Sequence, residues 1–171
     1  MTRLASKIFY LLSILIIIYS CNPSTNDKSQ IERKTDDSAI AKYDSLTAKK
    51  FGADNYGMKQ YVMAFLKRGP NRNLDSAEAV KLQRAHLRNI DKMADDGKLV
   101  LAGPFLDDGE LRGIYIFNVE TVSEAEELTK SDPAIKAGSL IMELKPWYGS
   151  AALMAINDIH KTLTKQNIAE E

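Results

Sequence analysis

The sequence predicts a mixed α+β domain of four strands and two main helices, with a further helix near its C-terminus. Three observations predict it. Apolar runs of strand length alternate with amphipathic stretches, the amphipathic stretches open on acidic or hydroxyl capping residues, and Gly or Pro punctuates the joins.

The elements follow in order. Gln60 to Lys67 reads as a buried strand closed by Gly69 and Pro70. Asp75 to Glu78 fits a capping box, in which an N-cap side chain is answered by a Glu in the first turn. The helix it opens runs to about Asp96, and Gly97 supplies the left-handed residue that commonly ends a helix. Leu99 to Phe105 is an apolar strand. Asp107, Asp108 and Gly109 read as a hairpin turn, because Asp-Gly accepts the positive φ angles such turns need. Leu111 to Val119 is the returning strand, and Ser123 to Glu126 caps a second helix ending near Lys130. Asp132 and Pro133 open a short extra turn that Gly138 closes. Leu140 to Leu144 is the fourth strand, with Pro146 as its stop. Ala151 to Leu163 is a terminal helix with Leu153, Ile156 and Ile159 on one side.

The order β-α-β-β-α-β is the split βαβ arrangement called ferredoxin-like. Its two helices cover one face of the sheet and leave the other open. Both sets of alternating strand residues are apolar. Leu111, Tyr115 and Phe117 point one way, and Ile114 and Ile116 the other. An apolar second face wants a partner, so a homodimer packed through the sheets is expected.

The region before the domain divides in two. Residues 1–20 read as a signal peptide: Arg3 and Lys7 give a positive start, and Ile8 to Ile18 is an apolar core broken by Ser13. That core has h-region length, roughly 7–15 residues, and falls short of the roughly 18 needed to span a bilayer. Ser20 followed directly by Cys21 resembles the lipobox of bacterial lipoproteins, where the thiol is acylated and becomes the new N-terminus. The expectation is export and lipid anchoring to the cell envelope through Cys21. Residues 21–58 are polar and read as a flexible tether with some helical character from Ile40 to Phe51, reaching roughly 30–35 Å if fully flexible. The domain proper is placed at residues 59–149, and the C-terminal helix and tail at 150–171.

Composition limits the function. Without its first twenty residues the chain carries 21 basic and 23 acidic side chains. That balance argues against nucleic acid and against a polybasic membrane contact. Cys21 is the sole cysteine, which rules out an intramolecular disulfide and a cysteine-based metal cluster. The two histidines, His86 and His160, are far apart in sequence, with no His-x-His pair, so no metal site is expected. No phosphate-binding Gly-rich loop and no G-x-S-x-G elbow is present, and no cofactor is expected.

His160 reads as a surface residue of the terminal helix. His86 is different: it lies between Leu82 and Ile90 at helical spacing and interrupts the inward face of the first helix. It is either a core-edge histidine satisfied by a carbonyl or a general acid or base, which would need a carboxylate to fix its tautomer. Asp132 is the candidate carboxylate. It is equally a favoured N-cap before Pro at the first helical position, and one side chain can serve both roles. Arg84 and Arg88 flank His86 in sequence, either to bind an anionic substrate or as solvated surface. Phe105 and Trp147 either line an apolar pocket or belong to the core.

These residues resemble a known family. His86-Leu87, Gly97, Ala102 to Phe105, Asp108-Gly109, Gly113, Glu124-Ala125, Asp132-Pro133, Gly138 and Pro146-Trp147 stand in the order and spacing of the YciI-like, or YCII-related, domain. The resemblance covers about Tyr61 to Trp147. It implies a small ferredoxin-like domain of the dimeric α+β barrel type. It also implies that the family's histidine and aspartate, proposed as an active-site dyad, fall on His86 and Asp132. One member type is a dehydrochlorinase acting on a chlorinated aromatic, and most members have no assigned reaction. The export signal, tether and C-terminal helix lie outside the usual family layout. Three functions stay open: a cofactor-independent lyase-like enzyme using the dyad on a small molecule, a non-catalytic binding module of the cell envelope, and a structural dimer.

Overall fold

The computed structural model describes residues 42–170, and from Lys42 onward they form one compact unit. The expected signal peptide, Cys21 and the first part of the expected tether lie outside the described residues. From Lys42 the expected tether belongs to the folded unit instead. Helix α1, Ser45–Phe51, is capped by Asp44, whose carboxylate accepts from the Leu46 and Thr47 N–H groups, and ends at Gly52. It packs on the C-terminal segment. Local capping thus orders, within the expected tether, the stretch whose helical character the sequence shows.

The strands are β1 (Met58–Arg68), β2 (Leu99–Pro104), β3 (Leu111–Phe117) and β4 (Leu140–Ser150). They form one antiparallel sheet in the order β2-β3-β1-β4, the ferredoxin-like arrangement. The connecting helices are α2 (Ser76–Asp95), α3 (Val122–Thr129) and the short α4 (Pro133–Lys136). Asp75 caps α2 through the Glu78 N–H at 2.8 Å, and Gly97 ends it at φ 68°.

Four details differ from the sequence reading. The cap of α3 is Thr121, in a reciprocal box with Glu124 two residues upstream of the expected one. The turn between β2 and β3 is a longer connection. Gly109 is not at positive φ, and its N–H is held by the Asp107 side chain at 3.1 Å. Strand β4 runs through Pro146, which pairs with Val62. Strand β4 lies at the sheet edge, where a missing N–H is tolerated if it points away from the neighbour. The terminal helix is a 3-10 helix, Ala151–Ala155, followed by α5, Ile156–Leu163, with Ile159 exposed.

The core divides between the two faces of the sheet. On the helix side, Val62, Ala64, Leu66, Leu99, Tyr115 and Phe117 pack against Met93, Ile90, Ala125 and Leu128. Burying each large apolar side chain contributes roughly 1.5–3 kcal/mol. On the other side, Tyr61, Val100 and Ile116 are covered by Leu153 and Met154 of the 3-10 helix. Asn157 ties α5 to the edge strand by donating to the Leu99 carbonyl at 2.7 Å. The chain therefore closes part of the second face with its own C-terminal segment. Ile141 remains 48% exposed there, beside half-buried Phe65 and Ile114.

Candidate active site

His86 stands midway along α2 on its inward face, 7% exposed. Asp132 arrives from the turn between α3 and α4 and has no exposed surface. The two helices α2 and α4 lie side by side and bring the groups together across 46 positions. His86 Nδ1 lies 2.9 Å from each carboxylate oxygen of Asp132. Asp132 also caps α4, since its Oδ1 accepts from the Ala134 N–H at 2.8 Å. One side chain thus both caps α4 and meets the His86 ring.

A carboxylate only accepts, so Nδ1 must carry the proton it donates. In the neutral ring this leaves the lone pair on Nε2. The Tyr115 hydroxyl lies 3.2 Å from Nε2 and donates to it. Burial, and secondarily the charge of Asp132, hold the Tyr115 phenol well above its ordinary pKa of 10.0, so it stays a neutral donor. The Tyr115 and His86 rings lie nearly parallel at 6.3 Å, and Phe117 meets Tyr115 edge-on at 5.7 Å. Protonation of the ring would reverse the last bond, with Nε2–H donating to the Tyr115 oxygen. Among the described residues no buried side-chain nitrogen or oxygen lacks a partner. The arrangement can hold an imidazole in one tautomer, present Nε2 as a base, and stabilise the imidazolium once formed.

Tyr115 is the member that the sequence reading missed. Its alternation with Phe117 placed it on the helix-facing side, but no local signal shows that this position meets His86. That pairing depends on the packing of α2 over the sheet.

The other expected site residues are not brought to the dyad. Arg84 and Arg88 are exposed on α2, two positions either side of His86. Residues at that spacing point to opposite sides of a helix. Phe105 is 41% exposed in the connection between β2 and β3. Trp147 lies on the opposite face of the sheet against Tyr61, with ring centroids 5.9 Å apart. His160 is exposed on α5, its Nε2 3.1 Å from the Thr164 hydroxyl. Among the described residues, no cluster of three or more His, Cys, Asp or Glu is placed to hold a metal.

A cavity of about 260 Å³ lies at the end of the sheet where β1 leads into α2, and His86 and Asp132 are not on its lining. Leu82 and Ala134 form part of its wall, one a helical turn before His86 and the other bonded to Asp132.

Fold and site together define a ferredoxin-like α+β domain with a buried His–Asp–Tyr network. Residues 60–148, more than half of the chain, match the YCII-related domain, and the chain belongs to that family. It is 29% identical over 62 residues to the uncharacterized protein YjpA of Bacillus subtilis (strain 168), covering 36% of this chain and 71% of that protein. Among solved structures it is similar to the 5-chloro-2-hydroxyhydroquinone dehydrochlorinase TftG from Burkholderia phenoliruptrix AC1100, in complex with 2,5-dihydroxybenzoquinone. That similarity spans 50% of this chain and 92% of the other, at 19% identity and a TM-score of 0.40.

Proposed function

We propose that the chain is an acid–base enzyme of the YCII family that acts on a small molecule through His86. Asp132 holds the ring, and Nε2 takes a proton from the substrate or returns one to it. One observation carries this reading: both oxygens of Asp132 meet Nδ1 at 2.9 Å in a site closed to solvent on the Asp132 side. A histidine base fits proton abstraction or elimination. The proton goes to Nε2, the C–H bonding pair forms the new double bond, and the leaving group departs with its own electrons. The substrate proton would take the place of the Tyr115 hydroxyl as donor to Nε2. The test is His86→Asn on an identified substrate: turnover is expected to fall about 10²–10⁴-fold. Unchanged turnover would sink the reading.

A second reading, a non-catalytic binding module, is favoured by the enclosure of the ring and the bond that Tyr115 makes to Nε2. It predicts ligand affinity preserved within a few-fold in His86→Asn, with no turnover of any compound.

The domain would work as a homodimer at the cell envelope, tethered through Cys21. The Ser20-Cys21 junction supports the anchor, and the apolar remainder of the second face, Phe65, Ile114 and Ile141, supports the dimer. Cys21→Ser should abolish incorporation of labelled palmitate. Sedimentation should give twice the monomer mass, and a monomer mass would overturn the dimer.

A further inference from the structure

The cavity between the loop after β1 and α2, one residue removed from the dyad through Leu82 and Ala134, has a chemistry of its own. Its lining is mixed: Leu74, Ala79, Leu82 and Leu140 give an apolar part, Asn71, Gln83 and Ser139 a polar one, and Arg72 stands among them with no Asp or Glu on the lining. Arg72 is exposed, and its Nη1 meets the Ser139 carbonyl at 3.5 Å, the outer limit of a hydrogen bond. A guanidinium carries five N–H donors in a planar fork that matches a carboxylate bidentately.

The frame that carries Arg72 is fixed. Gly69 N–H donates to the Ser139 carbonyl and Asn71 N–H to the Gly138 carbonyl, each at 2.9 Å, and the Asn71 side chain donates to the Ala137 carbonyl at 2.9 Å. The approach is so close that a Cβ on Gly69 would run into the Gly138 carbonyl oxygen. The loop after β1 is thus stitched to the turn that follows α4, the helix capped by Asp132.

We propose that this cavity binds a small organic acid, with Arg72 holding the carboxylate and the leucine wall taking the apolar body. This deepens the acid–base reading, on which the name substrate for that acid rests. The volume lies below the roughly 300–1,000 Å³ of drug-sized ligand sites, which fits a single ring or a short chain. Arg72 is the one cation of the lining. A singly charged carboxylate matches it better than a phosphate dianion, which calls for several donors or cations.

The test is an NMR titration of the full chain with benzoate, benzamide and inorganic phosphate. Benzoate should shift the methyl signals of Leu82, Leu140 and Ala134 saturably. Neutral benzamide and inorganic phosphate should each bind at least about tenfold more weakly, the step expected for a lost charge-assisted bond. Arg72→Gln should weaken benzoate by about tenfold and leave benzamide unchanged, with Arg72→Lys between. Equal benzoate affinity in Arg72→Gln, shifts confined to another surface, or tighter binding of phosphate would each overturn the proposal. His86→Asn separates the two readings. Benzoate binding with undiminished turnover of an identified substrate removes the acid–base reading and keeps the pocket. No benzoate binding with lost turnover does the reverse.

Discussion

The two faces of the sheet solve the same packing problem with different materials. Alternate residues of one strand, β3, serve both: Tyr115 and Phe117 go to the helix side, Ile114 and Ile116 to the other. The helix side buries an ionisable pair and a phenol, and each of their polar atoms is spoken for. The opposite side is apolar around Tyr61, Val100 and Ile116, covered in part by the chain's own 3-10 helix, and carries charges where β4 pairs with β1 beside Phe65. There Glu143 is clasped by Lys67 and Lys145. A buried polar network is costly unless fully satisfied, and apolar residues of equal volume often stabilise as well or better. On the proposed reading the helix side carries the chemistry and the other side the closure.

The largest break in that contrast is Asp132→Ala. It leaves the Nδ1–H of a buried imidazole unpartnered, at about 1–3 kcal/mol, and strips the cap from α4, at about 0.5–2 kcal/mol more. Urea unfolding followed by circular dichroism measures it. Tyr115→Phe comes next. It leaves Nε2 without its donor and should cost roughly 1–3 kcal/mol by the same assay. Leu153→Ala, on the covering segment of the other face, should cost about 1–2 kcal/mol, because the side chain is only half-buried. A Leu153→Ala loss larger than that of Asp132→Ala would reverse the comparison.

The smallest effect lies at Glu143. Hydrogen bonds from Lys145 and then Lys67 lower the Glu143 carboxyl from 4.5 to about 2. A depressed carboxyl stabilises fully above its unfolded value and loses that contribution as pH falls through the folded one. The small melting-temperature difference between wild type and Glu143→Gln should therefore persist above about pH 4.5 and vanish near pH 2. A difference independent of pH would mean that the lysines do not hold Glu143 in solution.

The sequence made the architecture readable because its signals are local. Asp75 and Gly97 bracket α2, and the alternation in β1 and β3 declares strands. Signals failed where context overrules them. Pro146 stops a central strand but not an edge strand, and Asp-Gly makes a tight turn only when the strands meet close by. His86 was legible as a break in an apolar stripe and Asp132 as a cap before Pro133, while their pairing was what the family resemblance implied. Tyr115 was not, since its partner lies across a helix–sheet interface. Arg84 and Arg88 were proposed from nearness in sequence, which on a helix puts them on the far side. Arg72, on the loop before α2, lies at the cavity instead.

The central claim is that Asp132 holds His86 with its proton on Nδ1 and its lone pair on Nε2. Long-range ¹H–¹⁵N NMR of the imidazole nitrogens tests it directly. In the neutral ring the account predicts a protonated Nδ1 and an unprotonated, hydrogen-bonded Nε2, with the pattern lost in Asp132→Asn. A proton resident on Nε2 with a bare Nδ1, or an identical spectrum in Asp132→Asn, would contradict it.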